Sequence, residues 1–135
     1  MDIDDKKIIE TRMSKIYWED EKNGIVVSII KPKTKVTIDY LKEDYEILKN
    51  NFLHAKRKII IDITDVGSTG KEARDYIAGP DGMYNYFEAV AFLSYSKFSI
   101  GSILVQVAMK VYMLRKPTQL FFTKKDAVNW LVSIK

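Results

Sequence analysis

The chain has 135 residues, the size of one domain, and is 47% hydrophobic and 30% charged, a composition that excludes wholesale disorder. It has no cysteine and one histidine, His54, which excludes disulfides, thiol nucleophiles, thiolate metal sites and a histidine cluster. The net charge of +4 is spread among acids along the whole chain, which argues against a nucleic-acid partner. The two short basic runs, Lys31–Lys35 and Lys56–Lys58, read as solvated loops. Met1–Arg12 alternates acids and bases and lacks the apolar stretch of a signal peptide, so a cytoplasmic protein is expected. Residues 1–135 are read as a single domain, with 1–14 a flexible or loosely packed N-terminal segment.

Lys15–Asp20 and Gly24–Ile30 are β-rich runs joined through Asn23-Gly24, a hairpin turn signal. Ile38, Leu41, Tyr45, Leu48 and Phe52 then recur at three- and four-residue steps, with Lys42, Glu43, Asp44, Glu46 and Lys49 on the other side. The spacing predicts an amphipathic helix capped by Thr37 or Asp39. Lys58–Thr64 is a continuous β-branched run, the mark of a strand covered on both faces and hence of the sheet centre. Thr69 with Glu72 predicts a capping box and a second helix through Ala73, Tyr76 and Ile77, ended at Gly79–Gly82. Glu88–Ser94 reads as another buried strand, Lys97–Leu114 as a long helix and Thr118–Phe122 as a last strand. Thr123 with Asp126 caps a final helix whose inner face is Ala127, Trp130, Leu131 and Ile134.

The expected order is ββαβαβαβα: an α/β fold with an N-terminal β-hairpin, four helices and a single mixed, mostly parallel sheet. In such sheets ligands sit outside the carboxyl ends of the strands. That edge gathers Lys31–Lys35, Thr64–Gly70, Ser94–Phe98 and Thr123.

The opening hairpin, the strand Ile59–Thr64 with its Asp62, the helix carrying Glu72-Ala73-Arg74 and the closing stretch Leu120–Leu131, taken in that order, resemble the STAS superfamily. These are the anti-sigma-factor-antagonist-like domains, and the resemblance is to their SpoIIAA-like group of small stand-alone proteins. It implies a binding or switching module without chemistry of its own. It also implies a phosphorylatable residue near the second helix start, where Ser68 and Thr69 stand. The stretch Asp65–Gly70 is shorter than the family's and lacks its Asp-Ser-Ser-Gly. A further likeness of this group to Sec14-type lipid-handling domains implies an apolar ligand as the alternative.

Gly67–Glu72 follows a strand and opens a helix, where free N–H groups favour an anion. The spacing is not that of a Walker A loop, and Glu72 stands where that loop needs Ser or Thr. The stretch is read first as a loop with a capped helix start, and the alternative is a weak anion site or phosphorylation at Ser68 or Thr69. Asp62 and Asp65 flank the central strand end, near Ser94 and Lys124, and Asp62 is expected to bond donors in its own turn. Two carboxylates are too few for a hard cation, His54 has no nucleophile beside it, and no acid–base pair can be named. The reading is no catalytic residue, no metal and no cofactor.

The segment Lys97–Leu114 carries a core stripe of Ile100, Ile103, Leu104, Val107, Val111 and Leu114, and yet Phe98, Val105, Met109, Tyr112 and Met113 point elsewhere. Ser99, Ser102, Gln106 and Lys110 interrupt any membrane span. One reading of the surplus is plain core packing, with the helix sandwiched under another; as a functional feature it is read as a surface for a protein partner or a homodimer, acting together with the loop around Ser68. The alternative is a small apolar-ligand or lipid carrier with membrane-surface association. Its pocket would be lined by Met83, Tyr86, Phe98, Val105 and Met109, under a lid at Gly79–Phe87.

Overall fold

The computed structural model describes residues 7–79, 82–96 and 116–134. Its strands are β1 (Ile9–Glu10), β2 (Ser14–Asp20), β3 (Ile25–Ile30), β4 (Lys35–Val36), β5 (Lys58–Asp62), β6 (Ser68–Thr69), β7 (Ala89–Leu93) and β8 (Thr118–Phe121). Three α-helices lie among the described residues: α1 (Ile38–Asn51), α2 (Lys71–Ala78) and α3 (Lys124–Ser133), with a short 3-10 helix at Met83–Tyr86. The long helix expected over Lys97–Leu114 falls outside the described residues.

Six strands form one sheet in the order β1-β2-β3-β5-β7-β8, and β4 pairs with β6 in a separate two-stranded sheet. The β1–β2 and β2–β3 pairs are antiparallel; β3, β5, β7 and β8 run parallel. The fold class expected from the sequence is the one observed. The hairpin turns where Asn23-Gly24 predicts, with Gly24 at φ +71 and Asp20 accepting from the main-chain N–H and the amide of Asn23.

Alternation along the central strands divides their side chains between two cores. Ile16, Val26, Ile59, Val90 and Phe92 face α1 and α2, packing with Leu41, Leu48, Phe52 and Ala73. Tyr17, Ile25, Val27, Ile60, Ala89, Ala91 and Leu93 face α3, against Ala127 and Leu131. Ala89 and Ala91 are small, which lets α3 approach the sheet closely. Thr37 caps α1 by accepting from Tyr40 N–H, and Thr123 caps α3 by accepting from Asp126 N–H.

Four expectations are corrected. The described part of the N-terminal segment is not loose: Ile9 and Glu10 pair with Ile16 and Lys15, and Thr11 and Met13 are buried. Thr69 does not cap α2, because β6 takes it into the small sheet; Gly70 is the N-cap and supplies no side chain. Asp44 is not on the solvent face of α1 but on the inner stripe with Leu41 and Leu48. Lys58 is not in a solvated loop: it is buried, and its ammonium donates to the carbonyls of Leu131 and Ile134 at the end of α3.

Candidate functional site

The carboxyl ends of β3, β5, β7 and β8 bring together the edge that the topology marks for ligands. The chain leaving β3 and the chain leaving β5 are braced against each other there. Lys33 N–H donates to Asp65 O at 2.8 Å, Gly67 N–H to Thr34 O at 2.9 Å, and Lys35 and Val36 then pair in parallel with Ser68 and Thr69. The approach requires Gly67, since a Cβ there would stand 2.6 Å from the carbonyl oxygen of Lys33. Lys33 itself adopts φ 61, a left-handed conformation uncommon for a residue with a Cβ. Val36 and Val66 bury their side chains beneath this brace and fix it to the core.

On the brace, Ser68 is exposed and lies beside exposed Lys35. Thr69 is half-buried and its carbonyl accepts from the Arg74 guanidinium at 2.7 Å. The first turn of α2 has no side-chain cap. Lys71, the first residue of that helix, has its ammonium 4.0 Å from Asp75, a loose and exposed pair.

Asp62 Oδ1 accepts from both the N–H and the hydroxyl of Thr64, at 3.0 and 2.7 Å, and Thr64 Oγ1 in turn accepts from Tyr95 N–H at 3.1 Å. Asp62 is therefore tied into its own turn, as expected. Ser94 is buried and donates to Ser96 O at 2.7 Å. Tyr95, the next residue, is 58% exposed and points from the same edge. Lys124, at the start of α3, pairs with Glu19 at 3.2 Å. Burial lowers the Lys124 pKa, but nearby Tyr17 and Glu19 outweigh it and leave the ammonium above its usual range. Tyr17 is raised, first by burial. Among the described residues no group of three or more metal-ligating side chains converges, and no helix is long and apolar enough to cross a membrane.

The residues expected to dock a partner are only partly placed. Phe98, Val105, Met109, Tyr112 and Met113 lie outside the described residues. Met83 opens the 3-10 helix that Tyr86 closes. The Tyr86 ring packs on Tyr45 and Phe87, with the Arg57 guanidinium 3.5 Å from its centroid, and its hydroxyl donates to Lys49 O at 3.4 Å. Burial raises its phenol pKa. Sequence reasoning did not single out Tyr95 or the pairing of Lys35 with Ser68. The first follows a strand end and carries no local signal, and the second arises only between segments distant in the chain.

Residues 17–135 match a family described as a domain of unknown function, DUF7793. The chain belongs to that family. Its fold is shared beyond DUF7793. An uncharacterised protein of the DUF3478 family with a SpoIIAA-like fold, from Shewanella loihica PV-4, superposes with a TM-score of 0.57 at 18% identity, covering 93% of this chain and 91% of that one. At that identity the likeness shows the fold alone, and the fold of this DUF7793 chain is SpoIIAA-like. No curated protein matches it in sequence.

Proposed function

We propose that the chain is a non-catalytic binding and regulatory module that engages a protein partner, a second copy of itself included, through the carboxyl edge of its parallel strands. The brace formed by β4 and β6 supports this reading. It holds Ser68 and Lys35 outward on a main chain fixed by hydrogen bonds, with exposed Tyr95 at the neighbouring strand end. A fixed backbone bearing outward polar groups and an aromatic ring suits recognition, because little conformational freedom is lost on docking. The polar side chains around it hold the edge in shape: Asp62 binds its own turn and Lys124 pairs with Glu19.

Ser68 is then the natural point of control. A phosphate there would stand beside Lys35 and ahead of the uncapped first turn of α2, changing the charge of the docking face. The test is a photoreactive phenylalanine analogue at position 95, with crosslinked peptides mapped by mass spectrometry in the producing cells. A discrete protein, or the edge of a second copy, is expected, and Ser68→Glu should change its yield. Adducts with lipid alone, or a yield no higher than from the same analogue at exposed position 132 on α3, would overturn the reading.

A further inference from the structure

The ring of His54 joins the β2–β3 turn to the loop between α1 and β5. Its Nδ1 accepts the main-chain N–H of Lys56 at 3.0 Å, and its Nε2 lies 3.1 Å from the carbonyl oxygen of Lys22. A carbonyl oxygen can only accept, so Nε2 carries the hydrogen; Nδ1 receives an N–H and carries none. The two bonds therefore select one neutral tautomer. The packing is close as well. A Cβ on Gly24 would stand 2.6 Å from Nδ1 and 2.6 Å from Lys56 O, so the glycine of the turn lets the ring lie against the main chain. Trp18 meets the ring edge-on at a centroid distance of 6.4 Å and makes a second edge contact with Phe52 at 5.3 Å.

We infer that His54 is an acid-released buckle: a second proton must go to Nδ1, the atom that receives the Lys56 N–H, so the protonated ring leaves its seat and frees the loop between α1 and β5. Two donors cannot share that contact. The charged groups on the two segments give the cation little in return. On the turn, Asp20 is engaged by Asn23, which leaves Glu21 and Lys22. On the loop, Arg57 lies over Tyr86 and Lys56 carries the same sign as an imidazolium, while Lys58, the first residue of β5, is buried beneath α3. Among the described residues, the hydrogen bonds of the ring go to main-chain atoms and none goes to a carboxylate. Release would widen the apolar surface begun by Leu53, which precedes His54 in the chain and is 70% exposed.

The experiment is a nitrogen-15 NMR titration of the intact chain from roughly pH 7.5 downward until the ring is doubly protonated. The ring nitrogens should report the Nε2–H tautomer at the upper end. As the second proton binds, the Lys56 amide protection factor should fall about tenfold, the scale of one lost hydrogen bond, with the Trp18 indole signal shifting in step. The amide of Ile60, in the central strand, should stay protected throughout. His54→Asn places an amide oxygen near the position of Nδ1 without a titrating group, and should keep Lys56 protected over the same range. An Nδ1–H tautomer at neutral pH would overturn the inference. So would an unchanged Lys56 amide beside a doubly protonated ring, a simultaneous loss of Ile60 protection, or the same pH curve in His54→Asn.

Discussion

Replacing Lys58 with methionine should loosen α3 from the sheet while leaving the rest of the fold in place. Methionine keeps an unbranched apolar side chain along the buried path of the lysine stem and removes only the ammonium, so the change isolates the two bonds to the carbonyls of Leu131 and Ile134. Hydrogen bonds to a charged group contribute about 1.5–3 kcal/mol each. Loss of the ammonium also relieves its desolvation, which already pulls the Lys58 pKa below the usual lysine range. Leu131 O retains a second donor, Ile134 N–H at 3.2 Å. The balance is a loss of about 2–3 kcal/mol, a fall in Tm of roughly 6–15 °C for a domain of this size. Two tryptophans localise the effect. Trp130 rides on α3 against Phe121, at 5.4 Å between ring centroids, whereas Trp18 reports the hairpin. In urea, single-tryptophan versions should lose the Trp130 signal before the Trp18 signal in the Lys58→Met background, and together in its absence. A loss below about 0.5 kcal/mol, or coincident transitions in both backgrounds, would show that the ammonium does not hold α3.

Three further outcomes are expected. Asp44 is 1% exposed, its Oδ2 accepts the Ser14 hydroxyl at 2.6 Å and its Oδ1 has no hydrogen-bond partner among the described residues; burial is the main cause of its raised pKa. The folded state thus holds this proton more tightly than the unfolded one, so the contribution is fully present below the ordinary carboxylate range and is lost as pH rises through the Asp44 range. The unfolding free energy of Asp44→Asn relative to wild type should accordingly improve as pH rises from about 3 to 6, and a flat difference would refute the assignment. Gly67→Ala should cost about 1–3 kcal/mol in chemical denaturation and raise hydrogen exchange at Ser68, because the added Cβ meets Lys33 O. Thr123→Ala should cost about 1 kcal/mol in the same assay, whereas Thr69→Ala, whose hydroxyl caps nothing, should stay within about 0.5 kcal/mol.

The larger elements were legible because their side chains repeat long enough to show a period. The unbroken apolar run of β5 and the Asn23-Gly24 turn placed the sheet centre and the hairpin, and the Thr37 and Thr123 caps fixed two helix starts. The β1, β4 and β6 strands span two residues each, too few for alternation to appear, and their partners lie in other segments. Thr69 illustrates the consequence: its local pattern with Glu72 favours a cap, but pairing with Val36 decides its conformation. Asp44 shows a different failure. Spacing places it on the same stripe as Leu41 and Leu48, and its charge alone assigned it to water; the Ser14 hydroxyl is what makes its burial tolerable. The candidate edge was visible as a collection of loops, but its shape depends on Gly67 passing close to Lys33, a contact between segments that no local pattern encodes.

The main sheet is laid down in the order of the chain itself, each new strand joining beside the one made before it. Growth from the amino terminus can therefore proceed without reserving a gap for a later strand, which suits folding during synthesis. The exception is the seat of Lys58. Its ammonium takes its place in the sheet from the moment β5 pairs, yet the carbonyls that receive it lie 73 and 76 residues later in the chain, at the end of α3. Until that helix arrives, water must solvate the charge, so closing of this core waits on a segment synthesised long after the strand it covers.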